Sequence, residues 1–239
     1  MPSLLPAANG SEICRWSIRP RRKLQGWSAL ILAGGAGRRF GGGKLTANLA
    51  GVPIIRRVVA AVSAAGFAEV LVVTGADEAG VRSELAGMDA RFIHAPDWAE
   101  GMAATLRAGI GALAPRADGV CVFLGDMPLV QVADCPALIM AAEQSGYAAR
   151  PRYEGKPAHP VAFTRAAFAD LMALEGDQGA NALLKQRPQV VAYLDTADSG
   201  ALLDIDTPAD LAAATRAWNA CATSATSDSA TSRGALPNP

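Results

Sequence analysis

Short apolar runs recur along the chain, separated by stretches in which hydrophobic residues have a helical spacing. Three runs are apolar almost without interruption, at residues 29–33, 70–74 and 120–124, and a fourth, shorter run at residues 91–94 is centred on Phe92 and Ile93. Uninterrupted runs of this length, rich in Val, Ile and Leu, are typical of parallel strands that are buried on both faces. The pattern therefore predicts a parallel sheet at the centre of the protein.

The stretches between these runs favour amphipathic helices. In residues 53–65, Ile55, Val58, Val59 and Val62 lie three and four positions apart, as on one face of a helix. Similar patterns predict helices at residues 102–113, 136–144, 165–174, 180–186 and 208–220. Because strands and helices alternate, we expect a Rossmann-like three-layer α/β/α sandwich with a mostly parallel sheet.

The two ends of the chain lack these patterns. Residues 1–26 mix Pro, Arg and Trp without periodicity, and residues 219–239 are rich in Ser, Thr and Ala. Segments with few apolar side chains cannot bury enough surface to order themselves. We therefore expect one folded domain over residues 27–218, between a disordered N-terminal extension and a disordered tail.

Composition excludes several classes of partner. The 239 residues carry 22 Lys and Arg against 22 Asp and Glu, so a large basic surface for nucleic acid is not expected. The four cysteines, Cys14, Cys121, Cys135 and Cys221, show no metal-binding spacing and favour reduced thiols. No apolar stretch is long enough to span a bilayer. These observations predict a cytoplasmic protein that binds neither nucleic acid nor membrane.

A glycine-rich loop follows the first apolar run. It contains Gly34, Gly35 and Gly37, and it ends with the cations Arg39 and Lys44. Glycines allow backbone N–H groups to approach phosphate oxygens, and the cations can neutralise charge that develops at phosphorus. The loop therefore predicts a site for a nucleoside triphosphate.

Two better-known phosphate-binding loops do not fit this segment. A Walker A loop needs a glycine where Arg38 stands and a hydroxyl residue where Leu45 stands. A dinucleotide-binding fingerprint needs a third glycine at the position of Phe40. The loop therefore belongs to another class of nucleotide-binding proteins.

Carboxylates near strand ends are candidate metal ligands. Asp126 directly follows the apolar run at residues 120–124, and ligands of open parallel sheets lie beyond such carboxyl ends. Magnesium prefers one or two carboxylates together with substrate phosphates, so we expect a second ligand, Asp204. Asp206 lies on the same side of an extended segment, but it precedes Thr207 and Pro208, and capping of the next helix is an equal alternative.

The motifs together resemble the molybdenum-cofactor nucleotidyltransferases, most closely the cytidylyltransferase branch, over residues 28–217. The glycine-rich loop fits Leu-Ala-x-Gly-x-Gly-x-Arg-Met-Gly-x-x-Lys, with Phe40 in place of methionine. Further similar strings are Trp-Ala-Glu-Gly-Met-Ala-Ala-Thr-Leu at 98–106, Leu-Gly-Asp-Met-Pro at 124–128, Gly-Lys-Pro-Ala-His-Pro-Val-Ala-Phe at 155–163, Gly-Asp-Gln-Gly-Ala at 176–180 and Asp-Ile-Asp-Thr-Pro at 204–208.

The resemblance implies transfer of CMP from CTP to molybdenum-loaded molybdopterin, with release of pyrophosphate. It implies catalytic roles for Arg39, Lys44 and Asp126, and magnesium bound by Asp126 and Asp204. The residues that it places against the nucleotide are Leu32, Ala33, Gly34, Gly35, Gly37, Lys44, Thr74, Gly101 and Met102. His159 and Pro160 are expected on the acceptor side of the crevice, although His159 is equally well explained as a buried, hydrogen-bonded histidine. A molybdoenzyme or a maturation chaperone is expected as a further partner.

Two departures from the family pattern leave alternatives open. Gly34 stands where the cytidylyl branch has alanine, which resembles the guanylyl branch and would leave more room for the purine of GTP. Asn181 stands where the family often has arginine. The alternatives are a guanylyltransferase of the same cofactor, a sugar-phosphate or polyol-phosphate nucleotidyltransferase, and a noncatalytic maturation protein that binds the cofactor.

Overall fold

The computed structural model describes residues 24–230 and contains one large mixed sheet, most of whose strands are parallel. The strands are β1 (Leu24–Ala33), β2 (Asn48–Leu49), β3 (Val52–Pro53), β4 (Phe67–Thr74), β5 (Arg91–His94), β6 (Gly119–Leu124), β7 (Ala148–Tyr153), β8 (Lys156–Pro157), β9 (Val161–Thr164) and β10 (Val191–Asp195). The helices are α1 (Ile54–Ser63), α2 (Glu78–Glu84), α3 (Met102–Gly111), α4 (Cys135–Ser145), α5 (Phe168–Met172), α6 (Ala180–Gln186) and α7 (Pro208–Ala230).

The strand order in the large sheet is β10-β7-β9-β6-β1-β4-β5, and β8 pairs with β7 at the edge. Strand β1 lies at the centre and pairs in parallel with β4 and with β6. Strand β9 lies antiparallel between β6 and β7. The carboxyl ends of β1, β4 and β6 therefore meet at one edge of the sheet, which is where a ligand site is expected.

Helices cover both faces of the sheet, as the alternation of strands and helices predicted. Successive residues of β1 point to opposite faces, so Ile31 packs under α1 and α4 whereas Leu30 packs under α3. Both side chains are fully buried. The predicted three-layer α/β/α sandwich is confirmed.

Element boundaries differ from the sequence prediction at three places. Strand β1 begins at Leu24, so three residues assigned to the N-terminal extension belong to the sheet. The predicted helix at 165–174 is a short 3-10 turn, Arg165–Ala167, followed by α5. Strand β9 is antiparallel, and its pairing depends on long-range contacts that a local apolar pattern does not contain.

Residues 219–230, which the sequence assigns to a disordered tail, continue α7. The helix begins against the protein, where Ala214 is fully buried, so its nucleation is already complete when it reaches this segment. The rest of the predicted tail, 231–239, and residues 1–23 of the predicted extension lie outside the described residues.

None of the helices in the described range combines the length and the apolar character that crossing a membrane would require.

Candidate active site

The glycine-rich loop leaves β1 in a backbone conformation that favours glycine. Gly37, Gly41, Gly42 and Gly43 have φ angles of 59°, 94°, 93° and 62°. The N–H of Gly42 donates to the carbonyl of Gly37 at 3.2 Å, which closes the loop around a short 3-10 turn. The loop therefore turns back over the end of the sheet, and a side chain at any of these positions would strain it.

Phe40 anchors the loop in the hydrophobic core. It packs against a cluster that contains Leu49, Ile54, Ile205 and Ala214, all fully buried. The family motif has methionine at this position, and any large apolar side chain can fill the same space. The departure at Phe40 therefore preserves the attachment of the loop.

Close backbone contact joins the loop to the end of β4. The N–H of Ala76 donates to the carbonyl of Gly34 at 3.1 Å, and a Cβ on Gly75 would lie 2.5 Å from that oxygen. Thr74 is fully buried, and its hydroxyl donates to the carbonyl of Ile93 at 3.2 Å. The structure thus places Thr74 inside the sheet, beneath the position where the sequence predicted a nucleotide contact.

Gly34 and Gly35 have different surroundings. A Cβ on Gly34, which is buried, would lie 2.7 Å from Oγ1 and 3.0 Å from Cγ2 of Thr105 on α3. A Cβ on Gly35, which is exposed, would have no neighbour within 4 Å. The space that glycine leaves at position 34 is therefore occupied by Thr105, and Gly35 is the residue that borders the open crevice.

Lys44 forms the centre of a charged cluster at the end of the loop. Its Nζ donates to Oδ2 of Asp126 at 2.6 Å and to Oδ1 of Asp206 at 3.1 Å. Arg39 pairs through Nη1 with Oδ2 of Asp206 at 2.8 Å. The Lys44 side chain is 14% exposed and that of Arg39 is 79% exposed, so Lys44 forms the floor and Arg39 the rim.

The electrostatics of this cluster keep Lys44 charged. Burial by itself would lower the pKa of Lys44, but the charges and hydrogen bonds of Asp126 and Asp206 outweigh it, and the pKa lies above its ordinary value. An ammonium group is therefore present at the crevice at neutral pH.

Backbone hydrogen bonds bring the distant carboxylates together. The N–H of Ile205 donates to the carbonyl of Asp126 at 3.1 Å, which ties the segment before α7 to the loop after β6. The N–H of Gly125 donates to the carbonyl of Leu32 at 2.9 Å, which ties the same loop to β1. The alternation of the extended segment then directs Asp206 toward Lys44.

Capping of α7 does not involve the Asp206 side chain. Oγ1 of Thr207 accepts from the N–H of Asp210 at 3.2 Å, and Oδ2 of Asp210 accepts from the N–H of Thr207 at 2.7 Å. This reciprocal arrangement is a capping box, and its Thr-x-x-Asp signature is present in the sequence. The sequence analysis did not use that signal, which would have left Asp206 free for the cluster.

Asp204 lies beside the cluster without joining it. It is exposed and forms no ion pair with any cation in the part of the chain that the structure describes. Its pKa is raised, first by partial burial and then by the neighbouring charges of Asp206 and Asp126. Asp204 and Asp126 are therefore near enough to repel each other, as two carboxylates at one cation site would.

The chemistry of Asp126 fits a divalent cation. Its Oδ1 is buried and has no hydrogen-bond partner, whereas its Oδ2 accepts from Lys44. Within the described residues, no three His, Cys, Asp or Glu side chains are grouped as an all-protein metal site. The arrangement therefore suits a cation held by Asp126, with Asp204 beside it, and completed by substrate phosphates.

Gly101 and Met102 lie against the loop that precedes α6. Gly101 has a φ of 121°, and a Cβ there would lie 2.6 Å from the carbonyl of Gly176. The N–H of Ala103 donates to that carbonyl at 3.1 Å. A Cβ on Gly179 would lie 2.7 Å from Sδ of Met102, whose residue is 46% exposed. The two motifs therefore pack directly against each other.

His159 and Pro160 precede β9, next to the carboxyl end of β6. Nδ1 of His159 is buried without a hydrogen-bond partner. Burial first, and then the charge of Arg150, lower the pKa of His159 to about 4, although a hydrogen bond to the backbone of Val122 opposes this shift. His159 is therefore neutral at pH 7. Both readings of His159 left open by the sequence remain compatible with this position.

Arg150 was missed by the sequence analysis, because the sequence of β7, Ala-Ala-Arg-Pro-Arg-Tyr, has no apolar pattern that would signal a buried arginine. The residue is only 4% exposed. Its Nε and Nη2 donate to the carbonyl of Ala158 at 3.1 and 3.0 Å, and its Nη1 donates to Oδ1 of Asn181 at 2.6 Å. Arg150 therefore fixes the turn that leads to His159.

Comparisons with known proteins identify the family of this chain. Residues 29–191 match the family described as the MobA-like NTP transferase domain. Purine catabolism protein PucB of Bacillus subtilis is 31% identical over 193 residues, which cover 75% of this chain and 91% of PucB. Nicotine blue oxidoreductase of Paenarthrobacter nicotinovorans is 29% identical over 190 residues, which cover 75% of this chain and 92% of that protein.

A solved structure shows the same fold. Rv0371c of Mycobacterium tuberculosis H37Rv superposes with a TM-score of 0.73 at 27% identity, covering 80% of this chain and 97% of Rv0371c. A second structure of Rv0371c, in complex with manganese, has a TM-score of 0.69 at 25% identity and covers 80% of this chain and 98% of its own. The chain therefore belongs to the MobA-like NTP transferase domain family and is a nucleotidyltransferase related to those of the molybdenum cofactor.

Proposed function

We propose that this protein is a magnesium-dependent transferase that moves CMP from CTP to the phosphate of molybdenum-loaded molybdopterin and releases pyrophosphate. The observation that carries the proposal is the cluster of Lys44, Asp126, Asp206 and Arg39 at the end of the glycine-rich loop. Binding a nucleotide alone does not require two cations and two carboxylates to converge on one point.

The reaction is an in-line displacement at the α-phosphorus of CTP. A phosphate oxygen of the acceptor forms the new bond to phosphorus, and the bond to the bridging oxygen of pyrophosphate breaks. Lys44 and Arg39 stabilise the negative charge that develops on the phosphoryl oxygens. The attacking phosphate is already anionic, so this step needs no general base.

Asp126 and Asp204 are the residues that would hold the magnesium ion. Bound there, the ion supplies charge neutralisation for the triphosphate. The unpartnered Oδ1 of Asp126 supports this assignment. The manganese complex of Rv0371c supports a divalent cation in a relative of this chain. Lys44 contacts Oδ2 of Asp126, which leaves Oδ1 as the oxygen without a partner.

The surroundings of Gly34 support CTP over GTP. The sequence suggested that glycine at this position widens the space for a purine. In the structure, Thr105 fills the volume beside Gly34, and its Cγ2 would lie only 3.0 Å from a Cβ there. Glycine at position 34 thus gives no extra room at the base. Together with the other motifs of the cytidylyl branch, this favours a pyrimidine, with incomplete rejection of GTP.

The direct test combines the reaction with the choice of base. The purified protein is incubated with molybdenum-loaded molybdopterin, magnesium and either CTP or GTP, and pyrophosphate release is measured. We expect release with CTP, slower release with GTP, and none without the acceptor. Release with GTP alone would identify a guanylyltransferase, and release with neither nucleotide would overturn the proposal.

An acceptor panel separates the remaining alternatives. Sugar phosphates and polyol phosphates replace molybdopterin in the same assay, and faster release with either would identify a different transferase. Tight binding of the cofactor without any release would indicate a noncatalytic maturation protein. We further propose that the product passes to a molybdoenzyme, directly or through a chaperone, because a cytidylylated cofactor has its use there.

A further inference from the structure

A buried cation lies beside the acceptor side of the crevice and is not used by the charged cluster. Arg150 is 4% exposed, and its three hydrogen bonds go to the neutral oxygens of Ala158 and Asn181. No carboxylate in the described part of the chain contacts it. Buried charges are normally paired, because an unpaired one carries a large desolvation penalty. The burial of the Arg150 charge without a carboxylate partner therefore needs an explanation.

Arg150 also retains unused hydrogen-bonding capacity. A guanidinium has five N–H donors, and the three observed bonds leave about two of them free. Nη1 is bonded to Asn181, a residue that is itself exposed, so the guanidinium lies just beneath the surface. A ligand would reach Nη1 by displacing the Asn181 side chain.

A hydrogen-bond acceptor without a partner, Nδ1 of His159, lies on the same turn. Arg150 donates two hydrogen bonds to the carbonyl of Ala158, and the peptide group of that carbonyl leads into His159. Nδ1 of His159 is buried without a partner, and the ring is bonded to the backbone of Val122 through its other nitrogen. In a neutral imidazole whose Nε2 carries the hydrogen, Nδ1 is an acceptor only. The turn thus presents a donor and an acceptor together.

We propose that Arg150 and His159 form a recognition site for a cyclic amide of the acceptor substrate, with Arg150 donating to the ring carbonyl and Nδ1 of His159 accepting from the adjacent ring N–H. The pterin ring of the proposed acceptor carries such a C(=O)–NH edge, so the inference rests on the proposed function for the identity of the ligand.

The alternative ligand for a buried arginine is an oxyanion such as phosphate. An oxyanion would face the lone pair of His159 Nδ1, and this repulsion disappears only when the ring is protonated. With a pKa of about 4, only about one His159 ring in a thousand is protonated at pH 7. A neutral donor–acceptor edge satisfies both residues without a proton, and it is the ligand that the geometry favours.

The chain contains only two histidines, which makes His159 directly observable. Ring-nitrogen-labelled histidine is incorporated into the full chain and followed by NMR at pH 7. The other histidine, His94 at the end of β5, serves as an internal reference. Its Nδ1 pairs with Glu78 of α2 at 2.8 Å. The probes are pterin, pterin methylated at the ring N–H, and inorganic phosphate.

We expect pterin to shift the His159 Nδ1 resonance as a hydrogen-bond acceptor and to leave His94 unchanged. Methylation of the N–H should weaken binding about tenfold or more, because it leaves Nδ1 without its partner. Protonation of His159 by phosphate would overturn the proposal in favour of an anion site. No shift with any probe would also overturn it and would leave His159 as a structural residue.

Variants test the two residues separately. His159→Phe keeps a ring and removes Nδ1, and Arg150→Lys keeps the charge and loses the planar fork. Both should raise the KM for the acceptor about tenfold or more with little change in the KM for CTP. Arg150→Lys should retain more affinity than Arg150→Met. If Arg150 variants fail to fold, Asn181→Ala removes the bond to Nη1 without a buried change. This variant should bind pterin more tightly than the wild type, and unchanged pterin binding would remove Arg150 from the recognition site.

Failure of this proposal and failure of the proposed function are distinguishable. Pterin binding and the His159 shift require no nucleotide and no transfer. A normal shift without CMP transfer would leave the recognition site standing and refute the assigned reaction. CMP transfer to molybdopterin with no effect of Arg150 or His159 variants on the acceptor KM would support the assigned reaction and refute the recognition site.

Discussion

The two sides of the crevice use charge in opposite ways. On the side proposed for the nucleotide, Lys44 and Arg39 are paired with carboxylates at the end of the sheet. On the side proposed for the acceptor, Arg150 is buried and bonded only to neutral oxygens. Paired charges suit a site where charge changes during the reaction, whereas a fixed, buried donor suits recognition of a neutral group. The contrast is consistent with the proposal that one side carries the chemistry and the other the selectivity.

The largest effect is expected on the nucleotide side, from Asp126→Asn. The amide keeps the shape but loses the charge that pairs with Lys44 and that would hold magnesium, so turnover should fall by more than about a thousandfold, about 4 kcal/mol of barrier. Circular dichroism should show an intact fold, and exposed Asp89→Asn is the matched control. Turnover within about tenfold of the wild type would remove Asp126 as the principal metal ligand.

The two cations of the cluster should differ from each other. Lys44→Ala should lower kcat by about a thousandfold, because Lys44 is nearly buried and touches both carboxylates, whereas exposed Arg39→Ala should lower it by about ten- to a hundredfold. Calorimetric CTP binding should change much less than kcat in both variants. Arg38→Ala changes the adjacent exposed arginine and serves as the control. Equal losses in binding and in rate would show that the loop acts only as a ground-state clamp.

The buried His159 should make the free energy of unfolding depend on pH. The folded-state pKa of His159, about 4, is below the unfolded value of about 6.5. The contribution of the neutral His159 ring to the free energy of unfolding is therefore fully present above pH 6.5 and is lost as pH falls toward 4. Between pH 7 and pH 4.5 this loss amounts to about 2 kcal/mol. Urea unfolding at both pH values should show a smaller decrease for His159→Gln than for the wild type. If the decrease in His94→Gln, rather than in His159→Gln, were the smaller one, the shift would belong to the other histidine.

The boundary between loop and helix α3 can be tested at Gly34. Gly34→Ala should destabilise the protein by about 1–2 kcal/mol, because the new methyl would meet Thr105 at 2.7 Å. Gly34→Ala combined with Thr105→Ala should recover most of that loss, and Gly35→Ala, which meets no neighbour, should leave stability nearly unchanged. A double-mutant cycle measured by thermal unfolding gives the coupling. Additive losses would show that the two side chains do not share the space.

The smallest effect is expected from the cap of α7. Thr207→Ala removes the hydroxyl that accepts from the N–H of Asp210 and should cost about 1 kcal/mol of stability. Because Asp206 is the preceding residue and contacts Lys44, a moderate loss of turnover should accompany it. Thr207→Ser keeps the hydroxyl and should restore both quantities. Unchanged stability in Thr207→Ala would show that the helix does not depend on this cap.

The sequence predicted the architecture well where the signal was local. Uninterrupted apolar runs located β1, β4, β5 and β6, and glycines located the phosphate loop. The pairing of Asp206 with Lys44 was not predicted, since it depends on the bond between Ile205 and Asp126 across nearly 80 residues. The role of Thr105 was not predicted either, because it depends on the distance between α3 and the loop. Local sequence patterns predict helices and strands, whereas contacts between side chains of distant elements depend on the tertiary structure.

The contact between Asp206 and Lys44 also determines when the charged cluster can form during synthesis of the chain. The two residues are 162 positions apart in the chain. At ribosomal rates of about 5–20 residues per second, Lys44 is added to the chain roughly 8–30 seconds before Asp206. The central strands and the glycine-rich loop can form in that interval, but the charged cluster cannot close. A nascent chain therefore holds no complete cluster, which closes only when the segment before α7 docks beside β6.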